Sequence, residues 1–330
     1  MKETLRMKCN LIAENYQDLA KELKWHSATN LRFGALYYTL NGKKVNVDAI
    51  NRSRTIIKEN TGIFSQFKDI TNFTTSVILS LQDQPEKDFL NALKVYETLK
   101  QEGLHPSPYL VLAATSIAIQ AEPYDYTRIV TATKDIYKAM KKEHKILTSS
   151  DDYGFAALLA MQEKLTKDVV NEVEACYRIL KQDFVSSNSL QALAQVLTIS
   201  EEDINIKCKR VVDLNQALKN RKCKIGSGIE RSFLGIAALF EMDCNQLADE
   251  IAEFYEYLKY KKGFGSWSIS RDERVMFAIA LLCIEYLEDA KQNTVKMTLS
   301  NNVTVIMIAQ QMAAIAASSA AVAAASASSS

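Results

Sequence analysis

Histidines are the residues of this chain best suited to metal or acid–base chemistry, and there are three of them: His26, His105 and His144. Each follows by a few residues a lysine that ends a predicted helix, so we expect all three along one edge of the molecule. A metal ion needs its ligand atoms about 2 Å from a common centre, whereas packed helices lie roughly 10 Å apart. We therefore interpret the three histidines as exposed turn residues, and we predict no metal site and no cofactor.

Basic residues are concentrated on the same predicted edge. They are Lys141, Lys142, Lys145, Arg221, Lys222, Lys224, Lys261 and Lys262. One interpretation is a ridge for an acidic partner or for the backbone of RNA. The alternative is that these cations complement the negative ends of helices and keep the surface soluble. Lys142, Lys222 and Lys262 are our candidate partner contacts.

Four tyrosines recur at the same position of a repeated phrase: Tyr96, Tyr137, Tyr177 and Tyr255. Such a series can line a groove that anchors a peptide. It can equally belong to the core, because the tyrosines share a stripe with leucines. Trp267, in the segment KKGFGSWSISRDER, has two similar interpretations: an exposed contact for a partner, or a staple onto the core.

Motifs that would name a reaction are missing from the sequence. There is no GxxxxGK phosphate loop, no HExxH metal motif and no GxSxG nucleophile elbow. No catalytic residue is therefore predicted. An enzyme or small-molecule binder with a pocket between helical hairpins remains an alternative hypothesis.

The repeated phrase defines the first of two helices in each unit. It reads VYETLK, IYKAMK, CYRILK, LNQALK and FYEYLK, and it ends at Lys100, Lys141, Lys181, Lys219 and Lys259. Apolar residues surround it at positions i, i+3, i+4 and i+7, which is typical of an amphipathic helix. The period of about 40 residues indicates stacked helical hairpins. We call these predicted helices the A helices, and we expect each to end soon after its lysine.

A second, more apolar helix is predicted after each A helix, and we call it the B helix. Its start is marked by Ser107 before Pro108, by Ser149 with Asp152, by Ser227 with Glu230, and by Ser270 with Glu273. A serine followed three residues later by an acidic residue is a capping box. The segments that follow, such as YGFAALLAM and VMFAIALLC, are apolar nearly all round, so we expect them to form most of the core.

The predicted fold is an all-α solenoid of about seven hairpins with period near 40, followed by a C-terminal helix rich in Ala and Ser. Residues 1–84 form two atypical hairpins, 85–296 five regular ones, and 297–330 a charge-free tail with a helix from about 303 to 325. In an open solenoid the terminal units present one face to water. The tail can dock on the last hairpin, associate with another copy or with a partner, insert in a membrane, or remain disordered.

Bulk composition restricts the partners. Forty basic and 39 acidic residues leave a net charge of +1, which argues against nucleic acid as the partner. The six cysteines show no CxxC spacing and indicate buried thiols. The first residues, MKETLRMKCN, lack a signal-peptide pattern, so the expected location is the cytoplasm.

The seven-hairpin plan, with a C-terminus reached through MIAQQMAAIAASSAA, resembles an uncharacterised family of bacterial cytoplasmic proteins described only as a domain of unknown function. The plan is also generically similar to tetratricopeptide arrays, although their period is about 34 residues. Neither resemblance implies an activity. Our first hypothesis is a scaffold that binds a protein or peptide. The alternatives are the pocket enzyme or binder named above and a membrane-associated adaptor held by its tail.

Overall fold

The computed structural model describes residues 3–286 except residues 64, 69, 163 and 241. Within this part there are fourteen α-helices and three short 3-10 helices, and no strand. The prediction of an all-α fold is confirmed. The predicted helix at 303–325, like the whole tail, lies outside the described residues.

The odd-numbered helices correspond to the A helices of the sequence. They are α1 (Glu3–Glu22), α3 (Val47–Glu59), α5 (Pro85–Gln101), α7 (Tyr126–Glu143), α9 (Thr166–Leu180), α11 (Ile204–Asn220) and α13 (Cys244–Leu258). The even-numbered helices correspond to the B helices. They are α2 (Ala28–Leu40), α4 (Thr71–Leu79), α6 (Pro108–Gln120), α8 (Tyr153–Ala160), α10 (Asn188–Leu197), α12 (Ser232–Ala238) and α14 (Arg271–Tyr286).

The A helices are buried along one stripe only. In α9 the buried stripe consists of Val169, Val170, Val173, Cys176, Tyr177 and Leu180, and the other residues of the helix are more exposed. The predicted ends are confirmed: α5, α7 and α11 end within two residues of their repeat lysine, while α9 and α13 end directly before it. These lysines lie where a helix carries partial negative charge.

The B helices begin at the predicted caps, with one correction. The Ser107 hydroxyl accepts from the Leu110 amide, and the Ser270 hydroxyl and Glu273 carboxylate accept from each other's backbone N–H. Near Ser227, however, a 3-10 turn begins after Gly228, so Gly228 and not Ser227 takes the cap position.

The B helices form the inner layer of the molecule. Every residue of α8 and of α12 is buried, and so are nine of the ten residues of α10. An amphipathic surface helix would have one solvent-exposed face, so these fully buried helices must be covered on all sides. The A helices cover them from outside.

Helix packing follows a circuit that returns to its start. Each A helix packs against the next B helix, and each B helix packs against the B helices before and after it. α2 packs against α14, and α1 packs against both α13 and α14. The expectation that the terminal hairpins face water is wrong, because within the described residues the first hairpin packs against the last.

The contact between first and last hairpins has a polar and an aromatic part. The buried guanidinium of Arg32 in α2 donates from Nε to the Gly263 carbonyl (2.7 Å) and from Nη2 to the Ser268 carbonyl (2.8 Å). The ring centroids of Phe33 in α2 and Phe277 in α14 lie 5.9 Å apart. The two hairpins are thus joined through specific bonds as well as apolar packing.

None of the described helices combines the length and the apolar character that crossing a membrane requires.

Candidate functional site

The seven connections that lead from an A helix to its B helix lie at one end of the molecule, which we call the A-to-B face. They comprise the described residues of 23–27, 60–70, 102–107, 144–152, 181–187, 221–231 and 259–270. Neighbouring connections, or helix ends beside them, touch in order. The contacts are His26 with Phe73, Phe67 with Tyr96, His105 with Tyr153, Gln191 with Thr148, Ser189 with Ser227, Gly226 with Asp272, and Arg32 with Ser268. Surface features on different hairpins therefore share one face.

An aromatic edge, which we define as Trp25, Tyr260 and Trp267, stands on this face where the first and last hairpins meet. Both tryptophans are fully exposed and Tyr260 is four-fifths exposed. Tryptophan is highly buried on average, so full exposure of both indole rings is unusual. Lys24 and Lys262 are exposed beside them in sequence.

The loop that carries Trp267 is anchored by its neighbours. Phe264 is fully buried and packs its ring 5.8 Å from Tyr16 and 5.1 Å from Phe277. Gly263 has φ +89, and any Cβ there would overlap the Tyr16 ring, so only glycine fits. Phe264, and not Trp267, is therefore the staple onto the core. Trp267 is held outward on a fixed backbone.

The predicted tyrosine series lies mostly inside. Tyr96, Tyr177 and Tyr255 are each less than one-tenth exposed, and Tyr137 is half-buried with its ring 4.7 Å from that of Tyr153. This burial agrees with the core interpretation of the series. The rings of Tyr96, Tyr177 and Tyr255 are covered by the protein's own helices.

The predicted basic residues divide into engaged and free ones. Lys141 donates to the Thr148 carbonyl, Arg221 pairs with Asp249 at 2.6 Å, and Lys261 donates to Asn10 at 2.6 Å. The candidates Lys142, Lys222 and Lys262 are exposed, and Lys222 has a positive φ of 61. These three remain accessible from solvent on or beside the A-to-B face.

The histidines lie at this end, as the sequence predicted, but in different environments. His105 is exposed, and the His26 ring packs 4.6 Å from that of Phe73. The His144 Nε2 lies 2.9 Å from the Glu174 Oε2, and burial raises the pKa of that carboxyl. Among the described residues no group of three or more His, Cys, Asp or Glu side chains is placed to hold a metal ion.

A buried polar network lies under the fourth and fifth connections. Asp152 accepts from Gln195 (2.7 Å) and from the Ser149 amide (2.9 Å), and Gln191 donates to Thr148 (2.8 Å). Burial, and then the charge of Asp151, raises the pKa of Asp152 to about 7. A carboxyl with such a pKa can hold or release a proton near neutral pH.

A depression of about 250 Å³ opens beside this network. It is lined by Asp151, Asp152, Phe155, Ser187, Asn188, Ser189, Ala192, Ser227 and Ile229. Hydroxyl, amide and carboxyl groups thus converge between three hairpins. Both oxygens of Asp152 are already used inside the protein, which favours a structural role for that carboxyl.

Comparison with known families bears on the chain as a whole. The family with the description "Protein of unknown function (DUF4003)" matches residues 15–312. The chain belongs to this family. The resemblance predicted from the sequence is thereby confirmed, and the DUF4003 description carries no activity. The similarity to tetratricopeptide arrays goes no further than the alternation of paired helices.

A relative of this DUF4003 chain is the "Uncharacterized protein YeaA" of Bacillus subtilis (strain 168). It is 24% identical over 193 residues, which are 57% of this chain and 58% of the relative. The matched part thus spans little more than half of either protein. No solved structure matches the chain.

Sequence reasoning missed three features of the A-to-B face. Trp25 stands in the short connection LKWHS, where a large apolar residue between polar ones was the available signal. The buried pair Gln191 and Gln195 lies four residues apart in an otherwise apolar helix, which indicates an internal polar network. The position of Arg32 inside an apolar B helix was the signal for a buried contact.

Proposed function

We propose that this protein is a helical-repeat scaffold in which seven hairpins form a closed α/α ring in place of the predicted open solenoid. Its A-to-B face binds another protein. The observation that supports this proposal most is the aromatic edge: two fully exposed tryptophans held on neighbouring connections. Exposed apolar side chains of this size mark interaction sites when they cluster.

The chemistry of the edge defines the partner. Tryptophan side chains supply apolar contact area, and Lys24 and Lys262 beside them are exposed cations. A complementary surface therefore offers apolar side chains flanked by carboxylates, as on an acidic amphipathic helix. The exposed Lys142 and Lys222 extend the same preference over the face.

The proposal is tested by placing a photo-crosslinking amino acid at position 267 in cells. The matched control has it at Tyr124, which is also exposed but precedes α7 at the other end of the molecule. We expect a defined protein crosslinked from 267 and not from 124. The purified partner should then bind Trp267→Ser about 30-fold more weakly, since a tryptophan anchor contributes at least about 2 kcal/mol, and Tyr124→Ser should bind normally.

Two results would contradict the proposal. One is equal crosslinking from both positions, which would indicate random encounter. The other is tryptophan-dependent binding to lipid vesicles without any protein partner, which would favour a membrane surface as the ligand. In that case, fractionation of cells that express the protein with or without residues 297–330 would show whether the tail or the aromatic edge is responsible for membrane binding.

A second candidate function is small-molecule binding in the depression beside Asp151. It is supported by the convergence of carboxyl, hydroxyl and amide groups between three hairpins. Thermal-shift screening against a metabolite library is the test, with Asp151→Asn as the variant and Asp183→Asn, in an exposed stretch of the fifth connection, as the control. A ligand whose shift is unchanged in Asp151→Asn argues against this site.

A further inference from the structure

A depression of about 550 Å³ lies between α3, the second connection and the start of α4. It is lined by Asn51, Arg54, Thr55, Lys58, Ile63, Lys68 and Asn72. Among these described lining residues, three are cations, three carry neutral hydrogen-bonding groups, and none is a carboxylate. This depression is separate from the aromatic edge and from the depression beside Asp151.

The helical repeat explains why the polar groups converge. Asn51, Arg54, Thr55 and Lys58 stand at i, i+3, i+4 and i+7 of α3, so they share one face of that helix. A different face of α3 carries Ile50, Ser53 and Ile57, which are buried against the rest of the molecule. The polar stripe therefore points away from the core and forms one wall of the depression.

Among the described residues, none neutralises the cations of this wall. Within the described residues Arg54 and Lys58 make no ion pair and no hydrogen bond. Other arginines contrast with this: Arg210 pairs with Glu202 at 2.5 Å and Arg221 with Asp249 at 2.6 Å. Guanidinium groups commonly bind a planar or tetrahedral anion through two N–H bonds, and Arg54 has all of its donors available for one.

The remaining walls add positive potential. Lys68 donates one N–H to the Thr61 carbonyl at 2.6 Å, which fixes its ammonium at the rim and leaves two donors. Asn72 belongs to the first turn of α4, and Ile70 at the cap of that helix makes no side-chain hydrogen bond to it. The positive end of α4 therefore adds to the field of the three cations.

The pKa of His26, in the neighbouring hairpin, is affected by the positive charge at this depression. Its pKa lies below the ordinary value, first because of burial and second because of the positive charge of Arg54. The Arg54 charge thus acts across the space between the first and second hairpins. No described carboxylate intervenes to cancel it at His26.

We propose that this depression binds a phosphate-bearing small molecule, with a phosphate or pyrophosphate group held by Arg54, Lys58 and Lys68. Three cations match a group that carries two or more negative charges better than a single carboxylate. The volume of about 550 Å³ accommodates a ligand of nucleotide size. Ile63, which is largely exposed at the edge, offers an apolar contact for the part of the ligand beyond the phosphates.

Calorimetric titration of the full chain with inorganic pyrophosphate, at low salt, tests this proposal. We expect saturable binding with one site per chain. Arg54→Gln should weaken it about tenfold or more, because it removes charge-assisted hydrogen bonds. Arg52→Gln is the matched control: Arg52 is exposed on the same helix, does not line the depression, and carries the same charge, so its loss should change the affinity less than about twofold.

Further titrations distinguish sources of the phosphate group. A nucleoside diphosphate should bind with the same dependence on Arg54. Vesicles containing phosphatidylglycerol should not bind the protein in an Arg54-dependent way. Arg54-dependent binding to these vesicles, without binding of pyrophosphate, would overturn the proposal in favour of a lipid headgroup. If Arg52→Gln and Arg54→Gln weaken pyrophosphate binding equally, the binding depends only on unspecific positive charge, and the proposed site is wrong. Trp267→Ser should leave pyrophosphate binding unchanged, so failure here and failure of the proposed protein partner are separable.

Discussion

Replacement of Arg32 by methionine tests the contact between the first and last hairpins. The Arg32 guanidinium is buried and donates to the carbonyls of Gly263 and Ser268, both in the connection between α13 and α14. Methionine retains an unbranched stem but no donor. The variant therefore leaves two carbonyl groups without their partner while most of the side-chain packing remains.

The expected loss of stability follows from these two bonds. A hydrogen bond to a charged group contributes about 1.5–3 kcal/mol to stability. Burial of the guanidinium opposes this, and the same burial lowers the pKa of Arg32. Allowing for this desolvation cost, we expect Arg32→Met to lower the free energy of unfolding by about 2–4 kcal/mol.

Urea unfolding followed by circular dichroism measures this loss. The control is Arg52→Met, because Arg52 is exposed and a surface change of this kind costs at most about 0.5 kcal/mol. Hydrogen exchange provides a local readout: amides of residues 259–270 should exchange faster in Arg32→Met. A loss no larger than that of the control, with unchanged exchange in 259–270, would refute the reasoning that the two hairpins depend on this contact.

Three further predictions concern ionisable groups that are fully or partly buried. The raised pKa of Asp152 means that the folded state binds more protons than the unfolded state between about pH 4 and pH 7. The free energy of unfolding should therefore fall, by up to about 4 kcal/mol, as the pH rises through that window. Unfolding curves taken at each pH should show that Asp152→Asn removes this pH dependence. Lys207 is fully buried and its ammonium bonds to Glu172, so Lys207→Met and Glu172→Met should each lower the free energy of unfolding by about 3–5 kcal/mol. In a double-mutant cycle the double variant should lose less stability than the sum of the two single losses. Additive losses would show that the pair is not coupled. Arg54→Gln should raise the pKa of His26, measured by NMR titration, but should not restore its ordinary value, because burial is the larger cause of the lowered pKa. An unchanged pKa of His26 would contradict the contribution assigned to Arg54.

Local structure was predictable because each helix carries its own signals. The stripe around Val173 and Cys176 has the 3.6-residue period of an amphipathic helix, and Ser107 with Pro108 marks the start of the next one. These signals depend only on residues a few positions apart. Burial of the tyrosine series also follows from its place on the apolar stripe, where Tyr177 adjoins Cys176.

Contacts between distant hairpins were not predictable in the same way. Whether an array closes depends on small angles between successive hairpins, which no local pattern specifies. Arg32 and Gly263 are separated by more than two hundred residues, and neither position indicates the other. The exposure of Trp267 was similarly undecided, because a neighbouring phenylalanine, Phe264, was equally able to reach the core.

The return of the helix circuit to its start affects how the molecule comes apart. An open array can unzip from either extremity, one unit after another, because a terminal unit has a single neighbour. Here the first hairpin also rests on the last, so within the described residues every hairpin is clamped on two sides. Losing any one of them would expose apolar flanks on both of its neighbours. We therefore expect insertions within the connections to be tolerated, whereas adding or deleting a complete hairpin would break the closure.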